Sequence, residues 1–257
     1  MNFSYTDEQE MIRETARDFA ENVLAETATA RDRSEEFFHE ELKQLAELGF
    51  CGIFIPEEYG GAGMDTISYV IALEEISRVD ASVGVALSVT NSLAAGSILE
   101  FGTEEQKEKY LTRLASGEIL GGYCMTEPEC GSDAGSMKST AVRDGDEYIL
   151  NGNKTFITGG HTAQVFIIAA VTDKEAGHAH GISAFIVERD TPGITYGSRE
   201  KKMGLRSSDT ASLIMENVRI PAENLLGEEN QGFKLMLHAL DGGRIGIAAQ
   251  ALGIGQA

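Results

Sequence analysis

The residues best suited to chemistry lie in one short segment, Tyr123 to Ser132 (YCMTEPECGS), followed by an aspartate. Its small and polar residues are Thr126, Glu127, Gly131, Ser132 and Asp133. A strand end that opens into hydroxyl residues and glycine can offer amides and hydroxyls to a polar, planar or phosphorylated ligand. Composition alone favours an ordinary strand-to-loop turn, because Pro, Gly, Ser and Asp are common turn residues.

Cysteine and histidine chemistry is a weaker interpretation. Cys51, Cys124 and Cys130 form no CxxC pair and leave one cysteine over, which is typical of a reducing cytosol rather than of a disulfide framework. A reactive thiol within the segment is an alternative to small buried packing residues, which the pattern favours. The five histidines show no metal-ligand spacing, so we expect no metal site.

Charge limits the class of partner. The 257 residues include 41 acids and 21 bases, which give a net charge of −20. Such an excess argues against nucleic acid as a partner, since no basic stripe is present to neutralise phosphates.

The acidic N-terminus does not resemble a signal peptide. The apolar stretch from Ala81 to Leu99 is interrupted by polar residues and predicts a buried helix rather than a membrane span. We therefore expect a cytoplasmic protein.

Residues 1–118 show helical periodicity. Thr6 with Gln9 predicts a capping box, and Thr103 with Gln106 predicts another. Between them, the segment from Val83 to Phe101 is apolar on nearly every face and predicts the central helix of a bundle. The first domain is therefore expected to be entirely helical.

Residues 119–229 show the pattern of short strands. Val165 to Val171 and Ile182 to Val187 are apolar runs of strand length. Asp144-Gly145 and Asn151-Gly152 are both typical of hairpin turns. Regular short strands over about 100 residues predict an antiparallel barrel or sandwich.

Residues 230–257 return to a helical pattern. The segment is amphipathic, and no capping residues or polar tail follow it. The predicted fold class is therefore α+β: a helical domain, an antiparallel β domain and the start of a second helical domain. We expect the chain to be truncated within that last domain.

Four motifs appear in this order: YCMTEPECGSDAGS, NGNKTFITGG, KKMGLRSSDT and LDGGRIGIAAQALGI. With the helix–strand–helix order, they resemble the acyl-CoA dehydrogenase family over the whole chain, and most closely its short-chain (butyryl-CoA) members. The resemblance implies FAD-dependent α,β-dehydrogenation of a short-chain acyl-CoA to a trans-2-enoyl-CoA. The flavin would carry the redox step, while the protein orients the substrate and excludes water.

The resemblance also implies the cofactor residues. Phe156, Ile157 and Thr158 stand where the family has Trp-Ile-Thr, so Thr158 would bind the N5 region of the flavin and Phe156 would cover a ring face. Without that context, these three residues predict only a core strand. The flavin-lining residues of the first motif would be Tyr123, Cys124, Met125, Thr126, Glu127, Gly131 and Ser132. For Glu127 we favour a structural carboxylate over a catalytic base.

Substrate contacts are implied at Ser132, towards the thioester arm or its phosphates, and along a later segment. That segment is Asp241, Gly242, Gly243 and Arg244. Arg244 could bind a carboxylate or the CoA end, or could form a helix-surface salt bridge. Arg206 is expected to fix a loop of the β domain.

No catalytic base is identified. Most members of the family carry a glutamate in the C-terminal helical domain, and a minority carry it at the position of Gly243. Glycine cannot abstract a proton, and general base catalysis needs a group within hydrogen-bond reach of the α-proton. We therefore expect the chain alone to be weakly active or inactive.

Two other functions remain open. The chain could be a non-catalytic subunit or fragment that pairs with a chain carrying the remaining helices, or it could be an acyl-CoA oxidase. The resemblance implies an electron-transferring flavoprotein as acceptor. It also implies a homotetramer, with a complementary C-terminal chain as the alternative partner.

Overall fold

The computed structural model describes residues 4–257 and contains helices, then a β-sheet, then one closing helix. The helices are α1 (Asp7–Phe19), α2 (Ala25–Ser34), α3 (His39–Glu47), α4 (Thr66–Val79), α5 (Ala81–Ser88), α6 (Gly96–Phe101), α7 (Glu104–Ala115) and α8 (Gly232–Gln256). The strands are β1 (Gly121–Cys124), β2 (Thr140–Asp144), β3 (Glu147–Thr158), β4 (Val165–Val171), β5 (Ile182–Glu188), β6 (Ile194–Tyr196), β7 (Thr210–Pro221) and β8 (Leu225–Leu226).

Both predicted capping boxes are confirmed. The Thr6 hydroxyl accepts from the Gln9 amide at 3.2 Å, and the Gln9 side chain accepts from the Thr6 amide at the same distance. Thr103 and Gln106 repeat the arrangement at the start of α7. These reciprocal bonds satisfy amides that have no partner within a helix, so they fix where α1 and α7 begin.

The central helix runs from Ala81 to Phe101, with a π-helical stretch at Val89–Ala95 between α5 and α6. It is long and apolar enough to cross a membrane by length and composition, but 78% of its most apolar window is buried inside the fold. The prediction of a buried core helix is confirmed. At its start, the Asp80 carboxylate accepts from the Ser82 amide at 2.9 Å.

The β-sheet has eight strands, seven of them in the order β6-β7-β3-β2-β4-β5-β8, while β1 pairs with β4. The α+β architecture is confirmed, but the sheet is mixed rather than wholly antiparallel. Both β1 and β2 pair with β4 in parallel. Long connections between these strands allow the parallel pairings, which hairpin turns cannot make.

One predicted hairpin turn is confirmed and the other is wrong. Asp144-Gly145 begins the turn between β2 and β3. Asn151-Gly152 instead lies within β3, where the pairing with β7 shifts by one residue. Gly152 has φ +147°, and a Cβ there would lie 2.2 Å from the Ser139 hydroxyl. Glycine at this position therefore serves a bulge and a close contact, not a chain reversal.

Helix α8 packs closely against the first helical domain. A Cβ at Gly246 would lie 2.4 Å from the Tyr69 hydroxyl, and one at Gly253 would lie 2.3 Å from the Glu74 carbonyl. The Gln250 side chain also donates to the Ala81 carbonyl at 2.7 Å. The opposite side of α8 exposes large apolar side chains: Leu237, Ile245, Ile247, Leu252 and Ile254.

Candidate flavin and thioester site

The first half of the YCMTEPECGS segment is anchored in the protein. Tyr123 lies in β1, and its hydroxyl donates to the Met236 carbonyl of α8 at 2.7 Å. Burial raises the pKa of Tyr123. Cys124 is fully buried, and burial raises the pKa of its thiol to about 12. Cys124 is therefore a protonated packing residue, not a nucleophile. Met125 is also buried.

The second half of the segment forms a tight loop. Glu127 and Cys130 exchange backbone hydrogen bonds of 2.9 and 3.1 Å, and this turn carries Gly131 and Ser132 to the surface. Cys130 is buried, with its thiol donating to the Asp133 carbonyl at 3.0 Å. Ser132 is consequently exposed at the edge of the loop, where a ligand can reach it.

A β-bulge turns one aromatic side chain of β3 outwards. The pairing of β3 with β7 shifts between Lys154 and Ile157, and Phe156 has a φ of +57°. Its side chain is 65% exposed, whereas Ile157 is 2% exposed and belongs to the core. A left-handed backbone at a bulky residue is strained and is found most often at functional sites. Of the predicted FIT contacts, only Phe156 and Thr158 can therefore offer side chains to a ligand.

The two segments lie side by side. The Thr155 amide donates to the Thr126 carbonyl at 2.9 Å, and the Lys154 ammonium donates to the Met125 carbonyl at 3.2 Å. The loop that carries Ser132 is thereby held next to the strand that carries Phe156.

Thr126 and Thr158 have unused hydrogen-bonding groups. Both are half-buried, and neither hydroxyl has a hydrogen-bond partner within residues 4–257. Thr158 also lines a narrow crevice shared with Val89 and Thr90 of the central helix. Unpaired hydroxyls beside an exposed aromatic ring fit a planar ligand that carries several hydrogen-bonding atoms, as a flavin does.

The Glu127 carboxylate is held by three hydrogen bonds within the protein. Its carboxylate accepts from the amides of Lys138 at 2.6 Å and Ser139 at 3.0 Å, and from the Lys154 ammonium at 2.8 Å. Burial would raise the pKa of this carboxyl, but the charge and hydrogen bond of Lys154 outweigh burial and lower it. An ionised and fully bonded carboxylate is a poor general base.

The Asp241–Arg244 segment lies on α8, and its residues point to two different sides of the helix. Arg244 and Asp241 form an exposed ion pair of 2.5 Å, which is the helix-surface arrangement. Gly243 faces the central helix, where a Cβ would lie 2.8 Å from Leu93 Cδ2. Gly242 lines a mostly apolar pocket of about 350 Å³ together with Ser92. No hydrogen bond or ion pair within the described chain joins this segment to Ser132.

Arg206 has an unexpected partner. Its amide donates to the Asp32 carboxylate at 2.8 Å, and its guanidinium binds Glu35 at 2.7 Å. It therefore fixes its loop of the β domain, and does so by bonding α2 and the residue after it.

A cleft that contains two lysines was missed by the sequence reasoning. It has a volume of about 510 Å³ and lies beside the loop that follows Ser132. Its lining includes Lys138, Lys174, Asp173 and His178, and His178 bonds Asp133 at 2.8 Å. Its bases come from two loops about forty residues apart, so no local motif reveals it. Across residues 4–257, no group of three or more His, Cys, Asp or Glu residues could hold a metal ion.

Comparisons with known proteins identify the class that this fold and site define. Residues 6–118 match the acyl-CoA dehydrogenase N-terminal domain, and residues 122–218 match the acyl-CoA dehydrogenase middle domain. The chain belongs to the acyl-CoA dehydrogenase family.

Individual members of the family show how similar this chain is to known proteins. The chain is 50% identical to an acyl-CoA dehydrogenase of Bacillus subtilis, over 98% of this chain and 66% of that protein. It is 47% identical to the butyryl-CoA dehydrogenase structure from Megasphaera elsdenii, with a TM-score of 0.96, over 100% of this chain and 68% of the other. A chain from a structural study of the electron transferring flavoprotein of Acidaminococcus fermentans is 50% identical, with a TM-score of 0.97, over 100% of this chain and 67% of the other.

Two further facts follow from the comparisons. The chain spans about two thirds of the length of the relatives it matches. FAD is the cofactor of this family, and a similar glutaryl-CoA dehydrogenase from Mycobacterium smegmatis was determined in complex with FADH2 (36% identity, TM-score 0.90, over 97% of this chain and 62% of the other).

Proposed function

We propose that this chain provides the flavin- and thioester-binding site of a short-chain acyl-CoA dehydrogenase, which converts an acyl-CoA to its trans-2-enoyl-CoA. The observation that supports this most directly is the set formed by Phe156, Thr126 and Thr158: an exposed aromatic residue and two hydroxyls without partners on adjoining segments. The similarity to butyryl-CoA dehydrogenase supports the short-chain substrate.

Bound FAD would supply the hydride acceptor for this reaction. Phe156 would cover one face of the flavin ring, and the Thr158 hydroxyl would bond its N5 edge. Thr126 and the backbone beside it would bond the polar edge of the ring. The core strands β3 and β4 beneath these residues would hold them in place and exclude water.

Ser132 and this cleft would hold the CoA end of the substrate. The cleft offers Lys138 and Lys174 to phosphate groups, on a protein whose net charge is −20. Local cations are needed here because the overall field repels a polyanion. Within Asp241 to Arg244, the side of α8 that lines the apolar pocket beside Ser92 would lie nearest the acyl-thioester portion.

The reaction also needs a base for the α-proton. Position 243 holds a glycine, which cannot supply one. Asp241 is bound to Arg244, and Glu127 is bound to Lys154. We propose that the base comes from helices beyond this sequence or from a partner chain. The exposed apolar side of α8 favours such pairing, either in a homo-oligomer or with a chain that carries the remaining helices. An electron-transferring flavoprotein would accept the electrons, and the cytoplasm would be the compartment.

The experiment uses a glutamate introduced at position 243. FAD-loaded wild type and Gly243→Glu are mixed with butyryl-CoA without oxygen, and flavin absorbance near 450 nm is followed. We expect slow or no bleaching in the wild type and faster bleaching in the variant, with Gly243→Gln as the control of similar size. Equal behaviour of Gly243→Glu and Gly243→Gln would contradict the proposed site.

The same preparation separates the alternatives. Rapid reoxidation in air, with stoichiometric peroxide, would indicate an oxidase. A protein that binds FAD and butyryl-CoA but is bleached only after a chain with the remaining helices is added would indicate a subunit of a two-chain enzyme.

A further inference from the structure

The β domain contains one buried ion pair directly beneath the candidate flavin site. Lys154 is fully buried, Glu127 is 5% exposed, and their charged atoms lie 2.8 Å apart. Burying a lysine is costly, and burial lowers the pKa of Lys154 in spite of its partner. None of the binding roles proposed above uses this lysine.

The pair has a defined direction. The negative end, the Glu127 carboxylate, is bonded by the amides of Lys138 and Ser139, away from the Met125 carbonyl. The positive end, the Lys154 ammonium, donates to that carbonyl at 3.2 Å and lies 3.9 Å from the Met137 sulfur. The positive end is therefore the one that contacts the segment proposed to bind flavin.

The Met125 carbonyl belongs to the peptide group that contains the Thr126 amide. A cation on a peptide oxygen draws electron density from the nitrogen and makes its N–H a stronger donor. Within residues 4–257 the Thr126 N–H has no hydrogen-bond partner. The neighbouring bond from the Thr155 amide to the Thr126 carbonyl fixes the next peptide group as well.

We infer that Lys154, held by Glu127, is a positioning residue that orients and polarises the Met125–Thr126 peptide so that the Thr126 N–H is presented to the flavin. This inference rests on the proposed function, because it assumes a flavin at this site. Reduction adds negative charge to a flavin, so a strengthened donor stabilises the reduced form more than the oxidised form. The pair then raises the reduction potential of the bound cofactor.

The test removes both charges together. A single substitution leaves a buried charge without its partner, whereas Lys154→Met with Glu127→Gln keeps the volume and leaves no net charge. We expect the double variant to bind reduced FAD about tenfold more weakly relative to oxidised FAD, which is about 30 mV more negative for a two-electron couple. The matched control is Arg17→Met with Glu75→Gln, which removes an ion pair of 2.6 Å between α1 and α4; its potential should equal that of the wild type.

A wild-type measurement covers the case of a double variant that does not fold. The Thr126 amide proton should move downfield in the NMR spectrum when FAD is added. An unmoved Thr126 amide, or an unchanged potential in a folded double variant, would overturn the inference. A Gly243→Glu variant that binds FAD but is reduced by butyryl-CoA no faster than Gly243→Gln would contradict only the dehydrogenase proposal. A wild type that binds no FAD would overturn both.

Discussion

At the level of single residues, Phe156 combines two properties that are individually unfavourable. The residue is 65% exposed, and its backbone has a φ of +57°. An L-residue in this conformation costs about 1–2 kcal/mol. A residue that is exposed and strained contributes little to folding, which points to a ligand as the reason for its conformation.

Comparing two small substitutions at Phe156 separates strain from binding. Phe156→Ala and Phe156→Gly both remove the ring, so both should weaken FAD binding about 2- to 10-fold, given about 0.5–1.5 kcal/mol for an aromatic contact. Glycine also relieves the strain, so without FAD its variant should be more stable than the alanine variant by about 1 kcal/mol. Urea unfolding measures this difference. Equal stabilities would show that position 156 is not strained.

Some residues of the candidate site could be predicted from the sequence, and others could not. Phe156 and Thr158 could be predicted because the FITGG motif is contiguous and resembles a family motif. Lys154 could not, because its partner Glu127 lies 27 residues earlier and the pairing depends on how β1 and β3 meet. A buried lysine looks like an exposed one in a sequence. The same holds for Lys138 and Lys174, whose shared cleft requires two distant loops to approach each other.

At the level of secondary-structure elements, the Glu127–Lys154 pair fastens β3 to the loop after β1. The pKa of Glu127 lies below its ordinary value of 4.5, so the stability it contributes is present above pH 4.5 and is lost as the pH falls.

The pH dependence of unfolding should show the protonation of Glu127. Between pH 5 and 3, the free energy of unfolding of the wild type should fall more steeply than that of the Glu127→Gln, Lys154→Met double variant. One proton accounts for at most about 1.4 kcal/mol per pH unit. Urea titrations at several pH values measure both slopes. Parallel slopes would mean that folding leaves the pKa of Glu127 unchanged, and a shallower wild-type slope would mean that folding raises it.

Helix α8 offers a test of close packing through its glycines. Gly246→Ala places a Cβ 2.4 Å from the Tyr69 hydroxyl, so it should destabilise the protein by about 1–3 kcal/mol. Gly255→Ala on the same helix meets nothing within 4 Å and should stabilise by up to about 1 kcal/mol through helix propensity. Thermal unfolding compares the two. A harmless Gly246→Ala would mean that α8 does not approach α4 as closely as described.

The sequence predicts these elements better than their pairing. Helices with capping boxes and apolar strands could be located because their signals are local. Asn151-Gly152 was misread because the same dipeptide serves hairpins and bulges, and only the approach of Ser139 decides between them. The parallel pairings of β4 with β1 and β2 depend on long connections that leave no periodic pattern.

At the scale of the whole molecule, we expect the distribution of charge to matter more for CoA binding than the net charge does. A net charge of −20 repels CoA, and the cleft beside Ser132 opposes that field locally. Lys138→Ala and Lys174→Ala should each weaken CoA-thioester binding about 2- to 5-fold, as expected for exposed charges, with a smaller salt dependence than the wild type. Calorimetric titration at two salt concentrations measures this. Lys43→Ala on α3 is the control, and an equal loss there would assign the effect to net charge alone.

Phe156, Thr126 and Thr158 are proposed to form a flavin site on this chain. Titrating FAD into the purified protein, while the quenching of flavin fluorescence is followed, measures whether they do. We expect saturable binding of one FAD per chain. We also expect about 2- to 10-fold weaker binding by Thr158→Val, which keeps the shape but loses one hydrogen bond. Binding that is absent in the wild type, or equally tight in Thr158→Val, would show that these residues do not form a flavin site.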